Sequence, residues 1–107
     1  MLKFLAKLFH SSEKRNNINA HLENLTPTGE KALITAPEIK GESEFKVSEI
    51  LIENEGKAAK GQVICSLESK SLSFELESFE NAILRWKCKK GDIVKTGDEI
   101  VEIELIK

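Results

Sequence analysis

The chain has 107 residues, of which 40% are hydrophobic and 32% are charged, and its formal net charge is −2. This length suffices for one small domain with a modest core. The slight acidic excess argues against nucleic-acid binding, which needs a surplus of basic side chains. No apolar run approaches the ~20 residues needed to cross a bilayer.

Residues 1–9 show a helical pattern. Leu2, Leu5 and Phe9 share one helical face, and Lys3 and Lys7 lie on the opposite side at i, i+4 spacing. The pattern predicts a short amphipathic basic helix. Such a helix can make weak, reversible contact with a membrane surface. Because it is too short to be stable alone, the favoured interpretation is that it packs on its own sheet or on a partner subunit, or frays.

Residues 10–30 are polar and contain the breaker Thr26-Pro27-Thr28-Gly29, which is typical of a tether or a loosely helical segment. We therefore divide the chain into residues 1–30, a helix and tether, and residues 31–107, a folded domain. From about residue 31 the apolar period is two, which predicts strands. The predicted strands are Ala32–Thr35, Val47–Ile52, Val63–Leu67, Leu72–Leu76, Ala82–Cys88 and Ile100–Leu105, with a shorter one near Glu44–Lys46. No helical pattern intervenes, so an all-β sandwich or flattened barrel is predicted.

The domain contains an internal repeat. The turn ending at Gly61-Gln62 leads into Val63-Ile64-Cys65-Ser66-Leu67-Glu68, and the turn ending at Gly97-Asp98 leads into Glu99-Ile100-Val101-Glu102-Ile103-Glu104. Such a duplication predicts two similar β units that bury one face against each other. The hairpin that follows the first copy, residues 68–71, is then the place to look for chemistry.

Residue types typical of catalysis or metal binding are sparse. His10 and His21 lie in the N-terminal segment, and Cys65 and Cys88 each fall within an apolar strand pattern without CxxC spacing. We expect two buried, unpaired thiols, no metal site and no catalytic residues, so the chain is not expected to be an enzyme. Unpaired thiols and the lack of an export signal favour a cytoplasmic location.

A row of basic residues runs along the predicted strand Ala82–Cys88 and just beyond it. Arg85, Lys87 and Lys89 alternate with Trp86 and Cys88, and Lys90 comes next. The row could dock an acidic partner. The favoured interpretation is the solvated face of a strand, which is where such side chains usually lie.

Several of these segments together resemble the biotinyl/lipoyl carrier domain family, the barrel-sandwich hybrid fold. They are Ala36-Pro37-Glu38-Ile39, the two glycine turns, Leu67-Glu68-Ser69-Lys70-Ser71 and Lys90-Gly91-Asp92-Ile93-Val94. The resemblance implies a flattened barrel of two four-stranded sheets with quasi-two-fold symmetry. It also implies a cofactor, lipoate or biotin, on a lysine at the tip of an exposed hairpin.

The attachment position depends on the register of this hairpin. Lipoyl members of the family read Glu-Thr-Asp-Lys-Ala there, so an ungapped alignment places Ser71 at the attachment position and Lys70 one residue before it. In the family, the residues one, three and five after the lysine point inward. Counted from Ser71 they are apolar: Leu72, Phe74 and Leu76. Counted from Lys70 they are polar: Ser71, Ser73 and Glu75. Since a one-residue slip turns every side chain to the other face, the ungapped register is favoured.

A regulatory or accessory subunit, whose edge strands pair with a larger complex, is one hypothesis that does not depend on this register. Two other functions follow from the register. The favoured one is an unmodified, non-catalytic domain that serves as a scaffold or interaction module for a protein partner or larger complex. The alternative is a swinging-arm carrier that serves separate enzymes, with lipoate, or less favourably biotin, on Lys70.

In the turn at residues 78–81, Asn81 stands where the family has glycine, and we expect its backbone to be left-handed.

Overall fold

The computed structural model describes residues 22–107. The helix predicted at residues 1–9 and most of the predicted tether lie outside the described residues. A short 3-10 helix, Leu22–Asn24, precedes eight strands. The strands are β1 Pro27–Thr35, β2 Glu44–Ile50, β3 Lys57–Ala58, β4 Val63–Glu68, β5 Ser73–Glu77, β6 Ala82–Trp86, β7 Ile93–Lys95 and β8 Glu99–Ile106.

The strands form two four-stranded antiparallel sheets, as the resemblance implies. The first sheet has the order β1-β8-β6-β3 and the second has the order β5-β4-β2-β7. Alternating side chains from both sheets fill one core. In the second sheet Phe74, Leu67 and Val47 are opposite one another, and each is at most 2% exposed. Burial of the apolar face of each sheet against the other is the main driving force for this arrangement.

The internal repeat relates the two sheets. With an offset of 36 residues, β3 and β4 correspond to β7 and β8. The turns are alike in detail: the Ala59 N–H donates to Gln62 Oε1 at 2.9 Å, and the Lys95 N–H donates to Asp98 Oδ2 at 2.9 Å. Gly61 and Gly97, with φ of 82° and 90°, occupy the same place in each turn. Two different polar side chains therefore hold one backbone geometry.

The structure extends the predicted strand set. The two shortest strands, β3 and β7, were not predicted, and the short strand near Glu44–Lys46 is the beginning of β2. β1 begins at Pro27, inside the predicted tether. Leu22 is 1% exposed and packs with Ala59, Ile83 and Ile106 in a second, smaller apolar cluster. Residues just before β1 thus pack on the first sheet.

One turn differs from the expectation. Among residues 22–107 the single non-glycine residue with positive φ is Glu55, at 67°, so the prediction of a left-handed Asn81 is wrong. The Asn81 side chain instead accepts a hydrogen bond from the Lys60 N–H at 2.9 Å. Asn81 therefore stabilises its turn through its side chain.

Candidate functional site: the β4–β5 hairpin

The loop between β4 and β5 is a tight turn with two central residues. The Ser69 N–H donates to the Leu72 carbonyl at 2.8 Å, and the Leu72 N–H donates to Ser69 Oγ at 3.2 Å. Lys70 and Ser71 occupy the two central positions, and both are exposed. Both candidate site residues are therefore at the tip.

The strand that follows has the alternation predicted by the ungapped register. Phe74 is 2% exposed and its ring lies edge-on to Phe45, with centroids 5.5 Å apart. Ser73 is exposed, while Leu72 and Leu76 are half-buried. Shifting the register by one residue would place Phe74 in solvent and Ser73 in the core, at a cost of several kcal/mol.

Ser71 is held by a residue that the sequence did not point to. Its hydroxyl donates to Glu42 Oε2 at 3.0 Å, across 29 positions in the chain. Glu42 belongs to the connection between β1 and β2, which packs beside the hairpin. A contact between such distant loop residues has no periodic signal in a single sequence.

An open groove of about 420 Å³ lies beside the hairpin tip. One wall is the β1–β2 connection and the start of β2, and the other is the end of β4 with the hairpin. Its charged lining residues are Glu42, Glu44, Lys46, Glu68 and Lys70. Ile93 of β7 also lines it and is 60% exposed. The groove combines an acidic excess with one exposed apolar side chain.

A pair of serine hydroxyls and a carboxylate lie on the second sheet below the groove. The hydroxyls of Ser48 and Ser66 are 2.9 Å apart, and Glu75 lies opposite Ser66 on β5. Glu75 Oε1 is buried without a hydrogen-bond partner. Burial raises the pKa of this carboxyl above its ordinary value.

The basic row beginning at Arg85 is divided between different environments. Arg85 forms ion pairs with Glu55 at 3.1 Å and Glu104 at 2.9 Å, and Lys90 pairs with Glu49 at 3.0 Å. The guanidinium of Arg85 holds the pKa of Glu104 below its ordinary value. Because Arg85 and Lys90 already have acidic partners within the chain, the row does not present a continuous basic surface.

The cysteines pack as the pattern predicts. Cys65 and Cys88 are both buried and unpaired, and burial raises the pKa of Cys65 to about 12. No group of three metal-ligating side chains occurs within residues 22–107, and both histidines lie outside this range. No helix of the described part is long and apolar enough to cross a membrane.

Comparison with known proteins points to the same family as the hairpin. No known family profile matches the chain. The chain is similar, with 38% identity over 74 residues, to the dihydrolipoyllysine-residue acetyltransferase component of the pyruvate dehydrogenase complex of Pseudomonas aeruginosa. The matched residues make up 68% of this chain and 13% of that protein. This similarity and the two-sheet fold support a resemblance to the lipoyl domain family.

Proposed function

We propose that this chain is a lipoyl-type domain that carries no cofactor and acts as a non-catalytic interaction module. The observation that carries the proposal is the place of Ser71 in the turn. The second central position, which lipoyl members give to the modified lysine, holds a serine whose hydroxyl is bonded to Glu42 at 3.0 Å.

The chemistry of attachment separates the two tip residues. Lipoate and biotin are joined to a lysine amine through an amide bond, and a serine hydroxyl could form only an ester. Lys70 supplies an amine at the first central position, next to the groove. Consecutive residues of a tight turn project in different directions, so an enzyme that reads the hairpin shape meets this amine displaced from the usual place.

A carrier with lipoate on Lys70 is the second candidate function. It is favoured by the exposure of Lys70 at the hairpin tip. In this case the rigid barrel would present a flexible arm to separate catalytic chains. For either function we propose a multi-enzyme complex as the partner, because the similar protein from Pseudomonas aeruginosa is a component of one.

The two functions are separated by enzymatic lipoylation followed by intact-mass measurement. The chain is produced with a bacterial lipoate ligase and lipoate, beside the matching segment of the Pseudomonas aeruginosa relative as positive control. We expect no added lipoyl group on the natural chain or on Lys70→Arg. We expect one added group on the double variant Lys70→Asp, Ser71→Lys, which restores the lipoyl order of the two tip residues.

Each alternative result has a definite meaning. A lipoyl group on the natural chain, mapped to Lys70 and lost in Lys70→Arg, would establish the carrier function and overturn the proposal. If the double variant is folded by circular dichroism and still unmodified, Ser71 does not occupy the attachment position.

A further inference from the structure

The two sheets have equivalent rows of outward-facing residues, which differ in what covers them. In the first sheet the row is Lys31, Glu104, Ile83 and Lys57 on β1, β8, β6 and β3. In the second sheet it is Ser73, Glu68, Lys46 and Ile93 on β5, β4, β2 and β7. In both rows a glutamate is followed by an isoleucine and a lysine on the next two strands. The isoleucine is next to the glutamate in the first row, and the lysine is next to it in the second row.

The row of the first sheet is covered by the chain itself. Leu22 and Leu25 pack against Ile83. Lys57 Nζ donates to the carbonyl oxygens of Leu22 at 3.3 Å and Leu25 at 3.0 Å. Ile83 thus contacts two leucines that are spaced three residues apart. Lys57 donates hydrogen bonds to the backbone carbonyls of the same two leucines.

The equivalent row of the second sheet lies open. Lys46, Glu68 and Ile93 line the groove of about 420 Å³, and no other part of residues 22–107 covers them. Ile93 is 60% exposed, whereas Ile83, the isoleucine of the first row, is 9% exposed. An exposed isoleucine beside a free lysine offers the same two contacts that hold Leu22 and Leu25.

We propose that this groove binds residues 1–9 of a second copy of the chain. Leu2, Leu5 and Leu8 repeat the three-residue spacing of Leu22 and Leu25. Charge favours the same occupant, because residues 1–9 contain Lys3 and Lys7 and no acidic residue. The groove is lined by three glutamates and two lysines. In the complex a leucine packs on Ile93, and Lys46 bonds backbone carbonyls as Lys57 does.

The length of the linker favours a second copy over the same molecule. Leu22 lies on the outer face of the first sheet beside Ile106, whose N–H donates to the Asn81 carbonyl. The Asn81 side chain accepts a hydrogen bond from Lys60, three residues before β4 begins. The groove lies on the opposite sheet at the end of β4, about 20 Å farther along. The 12 residues from His10 to His21 span at most roughly 40 Å. An in-chain contact would need almost full extension around a sheet edge, and a contact between copies would not.

The test uses the full chain with a nitroxide on Ala6→Cys, since the buried native thiols are shielded from labelling. Spin-labelled chain is mixed with ¹⁵N-labelled chain that bears no nitroxide. We expect selective broadening of the amide signals of residues 41–46 and 68–70, with Lys60 and Asn81 unaffected. We also expect concentration-dependent association in sedimentation velocity.

The matched variants are Ile93→Glu and Leu33→Glu, which each add a charge at an exposed apolar residue on an outer face. Ile93→Glu should abolish the broadening and the association, and Leu33→Glu should retain both. Broadening elsewhere, equal loss in both variants, or binding of residues 1–9 to anionic vesicles without groove broadening would overturn the proposal. Broadening that occurs only when the nitroxide and ¹⁵N are on the same molecule would show a contact within one chain and not between two copies. None of these outcomes depends on whether Lys70 carries lipoate.

Discussion

The inner faces of the two sheets are nearly equivalent, and their outer faces are not. Leu67 and Ile103 occupy matching inner positions and both are fully buried. On the outside, Arg85 of the first sheet pairs with Glu104, while the matching region of the second sheet has the Ser48–Ser66 hydroxyl pair. The repeat therefore preserves the core that both halves must share. It leaves each outer face free to differ.

The comparison also separates the two ends of the fold. The β4–β5 hairpin, with Lys70 and Ser71, lies where the other half of the fold has the end of β8 beside the start of β1. There the Lys107 N–H donates to the Thr26 carbonyl at 3.0 Å. One half closes with an exposed turn, and in the other the last residue of the chain pairs with the residue just before β1. The exposed tip of the hairpin is accessible to partners, which is what an interaction module or a carrier needs.

The largest expected effect tests the equivalence of the inner faces. Leu67→Ala and Ile103→Ala should each lower the free energy of unfolding by about 2–5 kcal/mol, because each leaves a cavity in a close-packed core. Urea unfolding followed by the fluorescence of Trp86 measures both. The equivalence of the halves would fail if one variant lost less than about 1 kcal/mol while the other lost the expected amount.

The sequence predicted the inner faces well and the outer contacts poorly. The alternation around Phe74 and the match of Leu67 with Ile103 are visible because buried strand faces repeat every two residues. β3 and β7 have two and three residues, too few to show a period. The Glu42–Ser71 bond and the packing of Leu22 on Ile83 join positions far apart in the chain. They depend on the tertiary fold, so no local pattern reports them.

A smaller effect tests the ionic cluster on the outer face of the first sheet. Arg85→Met should lower stability at neutral pH, because it leaves Glu104 without its cation. The lowered pKa of Glu104 means that its contribution is present above its ordinary pKa and is lost as the pH falls through the lowered value. The difference between Arg85→Met and the natural chain should therefore shrink on acidification. Urea midpoints measured from pH 7 to pH 3 check this.

A matched control for that cluster is Ser48→Ala at the equivalent place on the second sheet. It removes one neutral hydrogen bond and should cost about 0.5–1.5 kcal/mol. Its cost should not depend on salt, whereas the cost of Arg85→Met should decrease as salt screens the ion pairs. Equal salt dependence of the two variants would contradict the contrast between the outer faces.

The smallest effect concerns Glu75, the partly buried carboxylate beside the serine pair. Burial raises the pKa of Glu75 in the folded state. Between the ordinary and the raised pKa the folded chain therefore retains a proton that the unfolded chain has released. Stability falls as the pH rises through this range. Glu75→Gln removes this penalty. It should raise stability at pH 7 by less than about 1 kcal/mol, because solvent screens much of the side chain, and should have little effect near pH 4. Glu77→Gln on the same strand makes the same change in charge and serves as control. If Glu75→Gln raises the free energy of unfolding equally at both pH values, the gain comes from contacts of the new amide. The buried carboxylate of Glu75 would then not be the cause of the lost stability.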